Sequence, residues 1–249
     1  MAYQTLAYRK QDKFGFVTLK QPTLSRLTAL EMAELAAEVN SDKDVRVVII
    51  TGAGAEFSTG TDWKSVTEEE KNAPLWLIAE SVARIQTPVI AAINGSAIGQ
   101  GLELALACDL RFAAEGVKLG LDQITHNMIP WDGGTQRLPR LVNRARAMEM
   151  LMFGETIDAA EALRIGLVNK VVPADKLESA VLEMAGKIAA NGPLALRYAK
   201  EAVSNGLDMT LDQGLHLEAD LYMLLQTTDD RIEGVTSFLE KRAPDFKGH

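Results

Sequence analysis

The sequence predicts an α/β fold in which a half built of strands and helices is followed by a helical half. Up to about residue 140, apolar β-branched runs such as residues 45–51 (VRVVIIT) alternate with segments of helical periodicity. Beyond that point the periodic segments are helical, and Gly166, Gly192 and Gly206 separate them. At 249 residues the chain is long enough to bury a large core without disulfides. Since no linker divides the halves, we expect one fold with a helical extension.

The elements follow in order along the chain. Strands are predicted at residues 3–9 and 14–20, and a helix at residues 29–40 begins with Thr28 as its N-cap. The run at 45–51 has too few polar residues for an edge strand, so we expect it to be covered on both faces. Next come a helix at 74–86, a strand at 88–94, a helix at 101–108 and a strand at 109–113. Later helices are predicted at 144–154, 158–165, 174–191, 193–206, 210–226 and 229–241.

The composition excludes several classes of protein. A formal net charge of −8 argues against a general nucleic-acid binder, whose phosphate contacts need a basic face. The most apolar stretch, residues 88–109, is interrupted by Asn94, Gln100 and Glu103, so we expect a buried segment and no membrane span. One cysteine, with no secretory signal at the N-terminus, is typical of a cytoplasmic protein. The three histidines and the cysteine have no metal-ligand spacing.

Residues 94–103 (NGSAIGQGLE) lead from a predicted strand into a predicted helix. The N–H groups at a helix start favour an anion, such as a phosphate or a developing oxyanion, although tight packing of the turn also explains the glycines. Glu103 is the only charge in the apolar run 102–108. Because burial raises the pKa of a carboxyl group toward the range useful in catalysis, Glu103 is a candidate acid/base. The alternative is a structural ion pair with an arginine.

Three stretches, taken in order, resemble the crotonase superfamily, the enoyl-CoA hydratase/isomerase family. They are residues 52–62 (GAGAEFSTGTD), 94–109 (NGSAIGQGLELALACD) and 129–138 (IPWDGGTQRL). Residues 154–168 and 229–242 fit the same pattern. The similarity therefore covers essentially the whole chain.

The resemblance implies a crotonase (ClpP-like) spiral of strand–strand–helix units over residues 1–195. It also implies a C-terminal helical region, residues 196–249, that covers the acyl-CoA pocket and forms a homotrimer or a dimer of trimers. Coenzyme A then enters as part of the substrate, and no further cofactor is expected. The backbone N–H groups of Thr61 and Gln100 fall at the positions that polarise the thioester carbonyl in the family. Thr61 replaces a usual alanine, and Gln100 the middle residue of a usual Gly-Gly-Gly run.

The acid–base residues depart from the family pattern. Glu103 matches the first of two glutamates of family hydratases, whereas Gln123 occupies the position of the second, and an amide cannot exchange a proton at neutral pH. Either Glu103 performs both proton steps while Gln123 holds the water, or Asp132 supplies the second carboxylate, or the chemistry differs. Asp132 is also explained as a turn or cap residue before Gly133.

The leading hypothesis is reversible hydration of an α,β-unsaturated acyl-CoA, with dienoyl or cyclic acyl groups included. The alternatives are an enoyl- or dienoyl-CoA double-bond isomerase, an acyl-CoA hydrolase, an enzyme of C–C cleavage and a non-catalytic binding protein of the same fold. By the same resemblance, contacts to CoA fall on Arg26, Leu27, Thr28, Gly60, Asp62 and Lys241, and walls of the acyl pocket on Trp63 and Trp131. Trp131 replaces a glycine and suits a flat acyl group, although core packing explains it equally well.

Overall fold

The computed structural model describes residues 3–62 and 76–249, and its strands form one large and two small sheets. In chain order they are β1 (Leu6–Gln11), β2 (Phe14–Leu19), β3 (Thr23–Leu24), β4 (Val47–Gly52), β5 (Gly60–Thr61), β6 (Val89–Ile93), β7 (Ala97–Ile98), β8 (Leu110–Ala114), β9 (Lys118–Gly120), β10 (Ile157–Asp158) and β11 (Lys170–Val172). The large sheet has the order β1-β2-β4-β6-β8-β11, and the small ones are β10-β9-β7 and β3-β5. Apart from the antiparallel hairpin β1–β2, the neighbours in the large sheet are parallel.

The helices connect the strands and continue beyond them. They are α1 (Arg26–Ser41), α2 (Ala79–Ala83), α3 (Gln100–Ala107), α4 (Gly134–Val142), α5 (Arg144–Phe153), α6 (Ala159–Arg164), α7 (Leu177–Ala189), α8 (Pro193–Gly206), α9 (Leu211–Gln226) and α10 (Asp229–Glu240). Short 3₁₀ turns lie at Gln123–His126 and Ala174–Lys176. Within the described residues, no helix has both the length and the apolar composition needed to cross a bilayer.

The core lies on both faces of the large sheet. All five residues of β6 and five of the six in β4 are buried, and α7 packs against β4, β6 and β8. A strand that faces water on one side alternates apolar with polar residues, whereas a strand covered twice does not need to. The two-sided burial expected for the run at 45–51 is confirmed.

The second half is less uniformly helical than the sequence predicts. Strand β11 extends the large sheet by pairing with β8, and β10 pairs with β9. Both strands are three residues or shorter, so their periodicity is too brief to distinguish from a helix end or a turn. Helix α4 was not predicted, because it begins at Gly134 and contains Pro139, two residue types that weaken a helical pattern.

Three boundaries also differ from the predictions. The N-cap of α1 is Ser25, whose hydroxyl accepts a hydrogen bond from the Thr28 N–H, while the Thr28 hydroxyl accepts one from the Ser25 N–H. Thr28 is therefore the N3 partner of a capping box and not the cap itself. Strand β1 starts later than predicted and runs to the tight turn at Asp12, where φ is +52°. Within the described part of residues 74–86, only Ala79–Ala83 is helical.

Candidate active site

The start of α3 is the centre of the candidate site. All eight residues of α3 are buried, and the Glu103 side chain has no exposed surface. The positive φ of the preceding turn, +54°, falls on Gly99, and Gln100 is already the first helical residue. The glutamine at a usual glycine position therefore carries no left-handed strain. A Cβ on Gly101 would lie 2.6 Å from the Cβ of Ser58, so only glycine lets α3 pack this closely against the segment before β5.

The carboxyl group of Glu103 is held by neutral donors. Its Oε1 accepts from the N–H groups of Asp132 and Gly134, both at 2.8 Å, and its Oε2 accepts from Nε2 of Gln123 at 3.0 Å. Burial raises the pKa of Glu103 to about 7; the two backbone donors lower it, and the nearby negative charge of Asp132 raises it. None of its described hydrogen bonds comes from an arginine, so a structural ion pair does not account for its burial.

Gln123 lies beside Glu103 at the start of the 3₁₀ turn Gln123–His126, and its side chain is only 3% exposed. Its Nε2 is used by Glu103, while its Oε1 is buried without a hydrogen-bond partner. A buried acceptor without a partner is costly in a folded protein. Such an atom indicates a position where a bound molecule supplies the missing donor.

A cavity of about 170 Å³ lies beside Gln123. It is lined by Thr59, Gly60, Thr61, Gly99, Gln100, Asp122, Gln123, His126, Met128 and Trp131. A larger hollow of about 490 Å³ lies between the large sheet and α7, but neither Glu103 nor Gln123 lines it. Glu103 itself does not line the smaller cavity, but its hydrogen-bond partner Gln123 does, so this cavity is connected to the candidate acid/base through Gln123.

Thr61 and Gln100, the expected carbonyl-polarising pair, lie side by side on this cavity. A Cβ on Gly60 would be 3.3 Å from the backbone N of Gln100, and the Thr61 hydroxyl donates to Oε1 of Gln100 at 3.1 Å. The N–H of Gln100 belongs to the first turn of α3, where backbone donors have no intrahelical acceptor. The geometry thus brings the two backbone positions together, as the resemblance implied.

Asp132 does not line the cavity, and its carboxylate is hydrogen-bonded to the start of α2. Its Oδ2 accepts from the N–H groups of Ile78 and Ala79, both at 2.8 Å, and from Nε2 of Gln100 at 3.1 Å. Burial raises the pKa of its carboxyl group, and these donors lower it. These bonds fit the cap interpretation, with the difference that Asp132 caps the distant α2 and not the helix that follows it in sequence, while a catalytic role for Asp132 stays a prediction.

The residues expected to contact CoA fall into two groups. Arg26, Leu27 and Thr28 form the first turn of α1, and Gly60 and Asp62 belong to or follow β5. These groups are neighbours because β3, which precedes α1, pairs with β5, and the Asp62 N–H donates to Leu24 O at 2.7 Å. Thr28 is 2% exposed and its hydroxyl is used in the cap, so of the three residues on α1 the exposed Arg26 and Leu27 are better placed to meet a ligand.

Of the other residues expected to contact the substrate, Trp131 lies on the cavity and Lys241 does not. Lys241 ends α10 with φ +56°, and no contact among the described residues joins it to the cavity. Trp131 lines the cavity as expected for an acyl wall, whereas Trp63 lies outside the described residues. His126 also lines the cavity and is exposed, with its Nδ1 3.1 Å from the Thr125 hydroxyl. Residues 3–62 and 76–249 contain no group of three acidic, histidine or cysteine side chains suited to a metal ion.

The sequence interpretation missed the role of the Gln100 side chain. It considered only the backbone at this position, yet the 1% exposed side chain donates to Trp76 O and Asp132 and accepts from Thr61. The available signal was the change of two family positions, with Gln100 at a usual glycine position and Asp132 next to Trp131, which also replaces a glycine. Two polar residues that are both expected to be buried need each other as partners.

Comparison with known proteins agrees with this geometry. Residues 9–249 match the family model described as enoyl-CoA hydratase/isomerase. A crotonyl-CoA hydratase of Syntrophomonas wolfei is 38% identical over 257 residues, with 99% of each chain covered. An (E)-benzylidenesuccinyl-CoA hydratase of Thauera aromatica is 42% identical over 244 residues, which cover 94% of this chain and 95% of the relative.

Solved structures agree as well. The crystal structure of an enoyl-CoA hydratase from Bacillus anthracis has a TM-score of 0.94 and 42% identity, covering 99% of this chain and 100% of that one. This similarity confirms the crotonase fold expected from the sequence motifs. With the family model matched over nearly the full length and Glu103 buried at the start of α3, the chain belongs to the enoyl-CoA hydratase/isomerase family of the crotonase superfamily.

Proposed function

We propose that this enzyme catalyses the reversible addition of water to an α,β-unsaturated acyl-CoA, with Glu103 as its only proton-exchanging side chain. The observation that carries the proposal is the buried Glu103 carboxyl group, whose pKa burial raises to about 7 and which bonds to an amide in place of a second acid. A carboxyl group with a pKa close to the working pH is readily available in both its ionised and its protonated form.

A single carboxyl group is sufficient for both proton steps. The Glu103 carboxylate accepts a proton from water while the water oxygen bonds to Cβ, and the C=C electron pair moves through Cα onto the thioester carbonyl. Protonated Glu103 then returns that proton to Cα, the carbonyl re-forms, and the product is a 3-hydroxyacyl-CoA. The N–H groups of Thr61 and Gln100 stabilise the intermediate enolate oxygen, and one such donor contributes about 2.7–4 kcal/mol in a transition state.

Gln123 supports the proposal because an amide suits both protonation states of its neighbour. Its Nε2 donates to the ionised carboxylate at 3.0 Å, and its unpartnered Oε1 is an acceptor for the attacking water or, after rotation of the amide, for protonated Glu103. A second glutamate would instead add a negative charge beside Glu103. We therefore assign Gln123 to holding water and orienting Glu103, and not to proton transfer.

The substrate is proposed to bind through its CoA part along the first turn of α1 and the end of β5, at Arg26, Leu27, Thr28, Gly60 and Asp62, with Lys241 as a further contact. No other cofactor is proposed, because CoA is part of the substrate. Trp131 forms a wall of the cavity at the acyl end. The relatives named for crotonyl and (E)-benzylidenesuccinyl groups cover a short chain and an aromatic one, and a flat conjugated acyl group is compatible with Trp131.

The experiment is incubation with crotonyl-CoA and, separately, with a 3-enoyl-CoA in H₂¹⁸O. We expect one ¹⁸O atom in the hydroxyl group of the product from crotonyl-CoA, and loss of this activity in Glu103→Gln. The specific observation that favours a second candidate, double-bond isomerisation, is Gln123, because shuttling one proton between carbons needs only one carboxyl group. Migration of the double bond without ¹⁸O incorporation would establish the isomerase and overturn the hydratase.

The assembly is proposed to be a homotrimer or a dimer of trimers. Helices α8, α9 and α10 carry large apolar side chains on their surfaces, with Leu211 80% and Phe238 81% exposed, and exposed apolar area of this kind is typical of an interface. Light scattering coupled to size-exclusion chromatography is expected to give a mass of three or six chains of 27.1 kDa. A single 27.1 kDa species at micromolar concentration would contradict it.

A further inference from the structure

A continuous chain of buried hydrogen bonds joins the two functional parts of the site through Asp132. On one side, the Asp132 N–H donates to Oε1 of Glu103 at 2.8 Å. On the other, Oδ2 of Asp132 accepts from Nε2 of Gln100 at 3.1 Å, and Oε1 of Gln100 accepts from the Thr61 hydroxyl at 3.1 Å. Asp132, Gln100 and Glu103 are 3%, 1% and 0% exposed, respectively. One residue thus contacts both the acid/base and the turn that carries the Gln100 N–H.

Both polar atoms of the Gln100 side chain are hydrogen-bonded inside the protein. Its Nε2 donates to Trp76 O and to Asp132, both at 3.1 Å, and its Oε1 accepts from Thr61. Because both N–H donors and the oxygen are engaged, rotation of this side chain would leave buried polar atoms unpaired, at a cost of about 1–3 kcal/mol for each. The backbone N–H of Gln100 belongs to the same residue, so these contacts restrain the start of α3 that carries it.

Both carboxylate oxygens of Asp132 accept hydrogen bonds within the protein. Besides Gln100, its Oδ2 accepts from the Ile78 and Ala79 N–H groups at 2.8 Å, and Oδ1 receives a longer bond of 3.4 Å from the Glu80 N–H. Burial raises the pKa of both the Asp132 and the Glu103 carboxyl groups, so it is their partners that differ. Those of Asp132 lie on α2 and on Gln100, whereas Gln123, the side-chain partner of Glu103, keeps an open acceptor beside the cavity.

We propose that Asp132 is a positioning residue which, through the Gln100 side chain, orients the Gln100 N–H toward the thioester oxygen, and through its own N–H fixes the Glu103 carboxyl group. The proposal rests on the proposed function, since it takes the thioester carbonyl to lie against Thr61 and Gln100. It assigns Asp132 a role in carbonyl polarisation and none in proton exchange. The glutamine at position 100, where the family usually has glycine, and the aspartate at position 132 then serve the same function.

The test uses binding of 4-(dimethylamino)cinnamoyl-CoA, whose absorption moves to longer wavelength when its thioester carbonyl is polarised. We expect a red shift with the wild-type enzyme and loss of at least about half of that shift in Asp132→Ala. Hydration of crotonyl-CoA by the same variant is expected to fall by about 10- to 100-fold in kcat with a smaller change in KM, which is less than complete removal of one donor costs. Asp132→Asn is expected to keep most of the shift and the rate, because one amide oxygen can retain the three bonds made to Oδ2.

Glu31 provides the matched control. It is also a buried carboxylate, 7% exposed, that accepts two backbone N–H bonds and one side-chain hydroxyl bond, but it does not line the cavity. Glu31→Ala is expected to lower the melting temperature while the red shift and kcat stay within about twofold of wild type. Should Asp132→Ala fail to fold, Gln100→Leu cuts the same chain from its other end and is expected to lose the shift in the same way.

The proposal is overturned if folded Asp132→Ala or Gln100→Leu retains the full red shift, or if the wild-type enzyme shows none. It is also overturned if Asp132→Asn loses the rate as completely as Asp132→Ala while keeping the shift, because Asp132 would then act as a proton-exchanging acid. A wild-type red shift that Asp132→Ala loses, in an enzyme that neither hydrates nor isomerises any enoyl-CoA, supports the positioning role and defeats the proposed function alone.

Discussion

Two parts of the active site contain buried carboxyl groups in different settings. In the acid–base part, Glu103 accepts two backbone N–H bonds and one amide bond, and the amide of Gln123 keeps a free acceptor beside it. In the carbonyl part, Asp132 accepts from α2 and from the Gln100 side chain, whose oxygen in turn accepts from Thr61. Burial raises the pKa of both groups. In the proposed roles, the two carboxyl groups therefore differ in their hydrogen-bond partners and not in burial: an open acceptor lies beside Glu103, whereas the partners of Asp132 lie on α2 and Gln100.

Substitution of Glu103 by glutamine is expected to have the largest effect on the acid–base part. Because both proton steps use this carboxyl group, kcat for hydration of crotonyl-CoA should fall by about 10³- to 10⁴-fold, with KM changed by less than about fivefold. Steady-state kinetics with purified enzyme provide the measurement. A variant that keeps a tenth of the wild-type kcat would show that another group exchanges the proton.

The same variant is expected to be more stable than the wild type above neutral pH. The folded-state pKa of Glu103, about 7, is above the ordinary glutamate value of 4.5, so the folded state binds the proton more tightly than the unfolded state. The wild type therefore loses stability as pH rises from 4.5 to 7, by about 3 kcal/mol in total, and Glu103→Gln does not share this loss. Urea unfolding of both proteins at pH 4.5 and pH 8 measures the difference, and equal pH dependence would contradict the raised pKa.

The pH profile of hydration gives the next largest effect. Catalysis begins with ionised Glu103 in either direction, because the carboxylate must take the proton from water or from Cα. With a pKa of about 7, kcat/KM should be constant above pH 8 and fall about tenfold per pH unit below 7, so roughly 10²-fold by pH 5. If the fall in kcat/KM at low pH had its midpoint near pH 4.5, the Glu103 carboxyl group would not be desolvated in the working enzyme.

Gln123→Leu is expected to have a smaller effect within the same part. Leucine fills a similar volume but cannot orient Glu103 or accept a bond from water, and the loss of one hydrogen bond corresponds to about a tenfold lower kcat. Isomerisation of a 3-enoyl-CoA, if present, should change less, because it consumes no water. Gln123→Asn, which keeps the amide on a shorter side chain, is the control and should fall between leucine and wild type. A rate unchanged in Gln123→Leu would remove Gln123 from the mechanism.

The sequence predicted much of this site because motifs record backbone geometry. Glu103 could be selected from the residues alone, as the single charge of an apolar helix, and its burial is complete. Thr61 and Gln100 were placed by resemblance, and the structure brings them together since β5 and the start of α3 are neighbours. In the fold, the long buried strands and most helices were predicted, because their periodic patterns run over many residues.

What the sequence could not provide were contacts between distant segments. Asp132 caps α2, more than fifty residues earlier in the chain, and no local pattern encodes such a partner. One interpretation made Asp132 a turn residue before Gly133, and the other made it a second catalytic carboxylate. Neither identified α2 as its hydrogen-bond partner. Short strands such as β10 and β11 were not predicted for the same reason. They are stabilised by pairing with β9 and β8 and not by a local sequence pattern of their own.

Thr61→Val is expected to have the smallest effect on catalysis and a clear effect on stability. Valine has nearly the shape of threonine and leaves the backbone N–H in place, so kcat should change by less than about threefold. It removes the donor to Oε1 of Gln100, and a buried acceptor left unpaired costs about 1–3 kcal/mol, which in a chain of this size lowers the melting temperature by roughly 2–12 °C. Thermal unfolding and steady-state kinetics of the same preparation separate the two effects. If kcat fell more than tenfold, the Thr61 hydroxyl would itself take part in carbonyl polarisation, and the carbonyl part would depend on its side chains as directly as the acid–base part does.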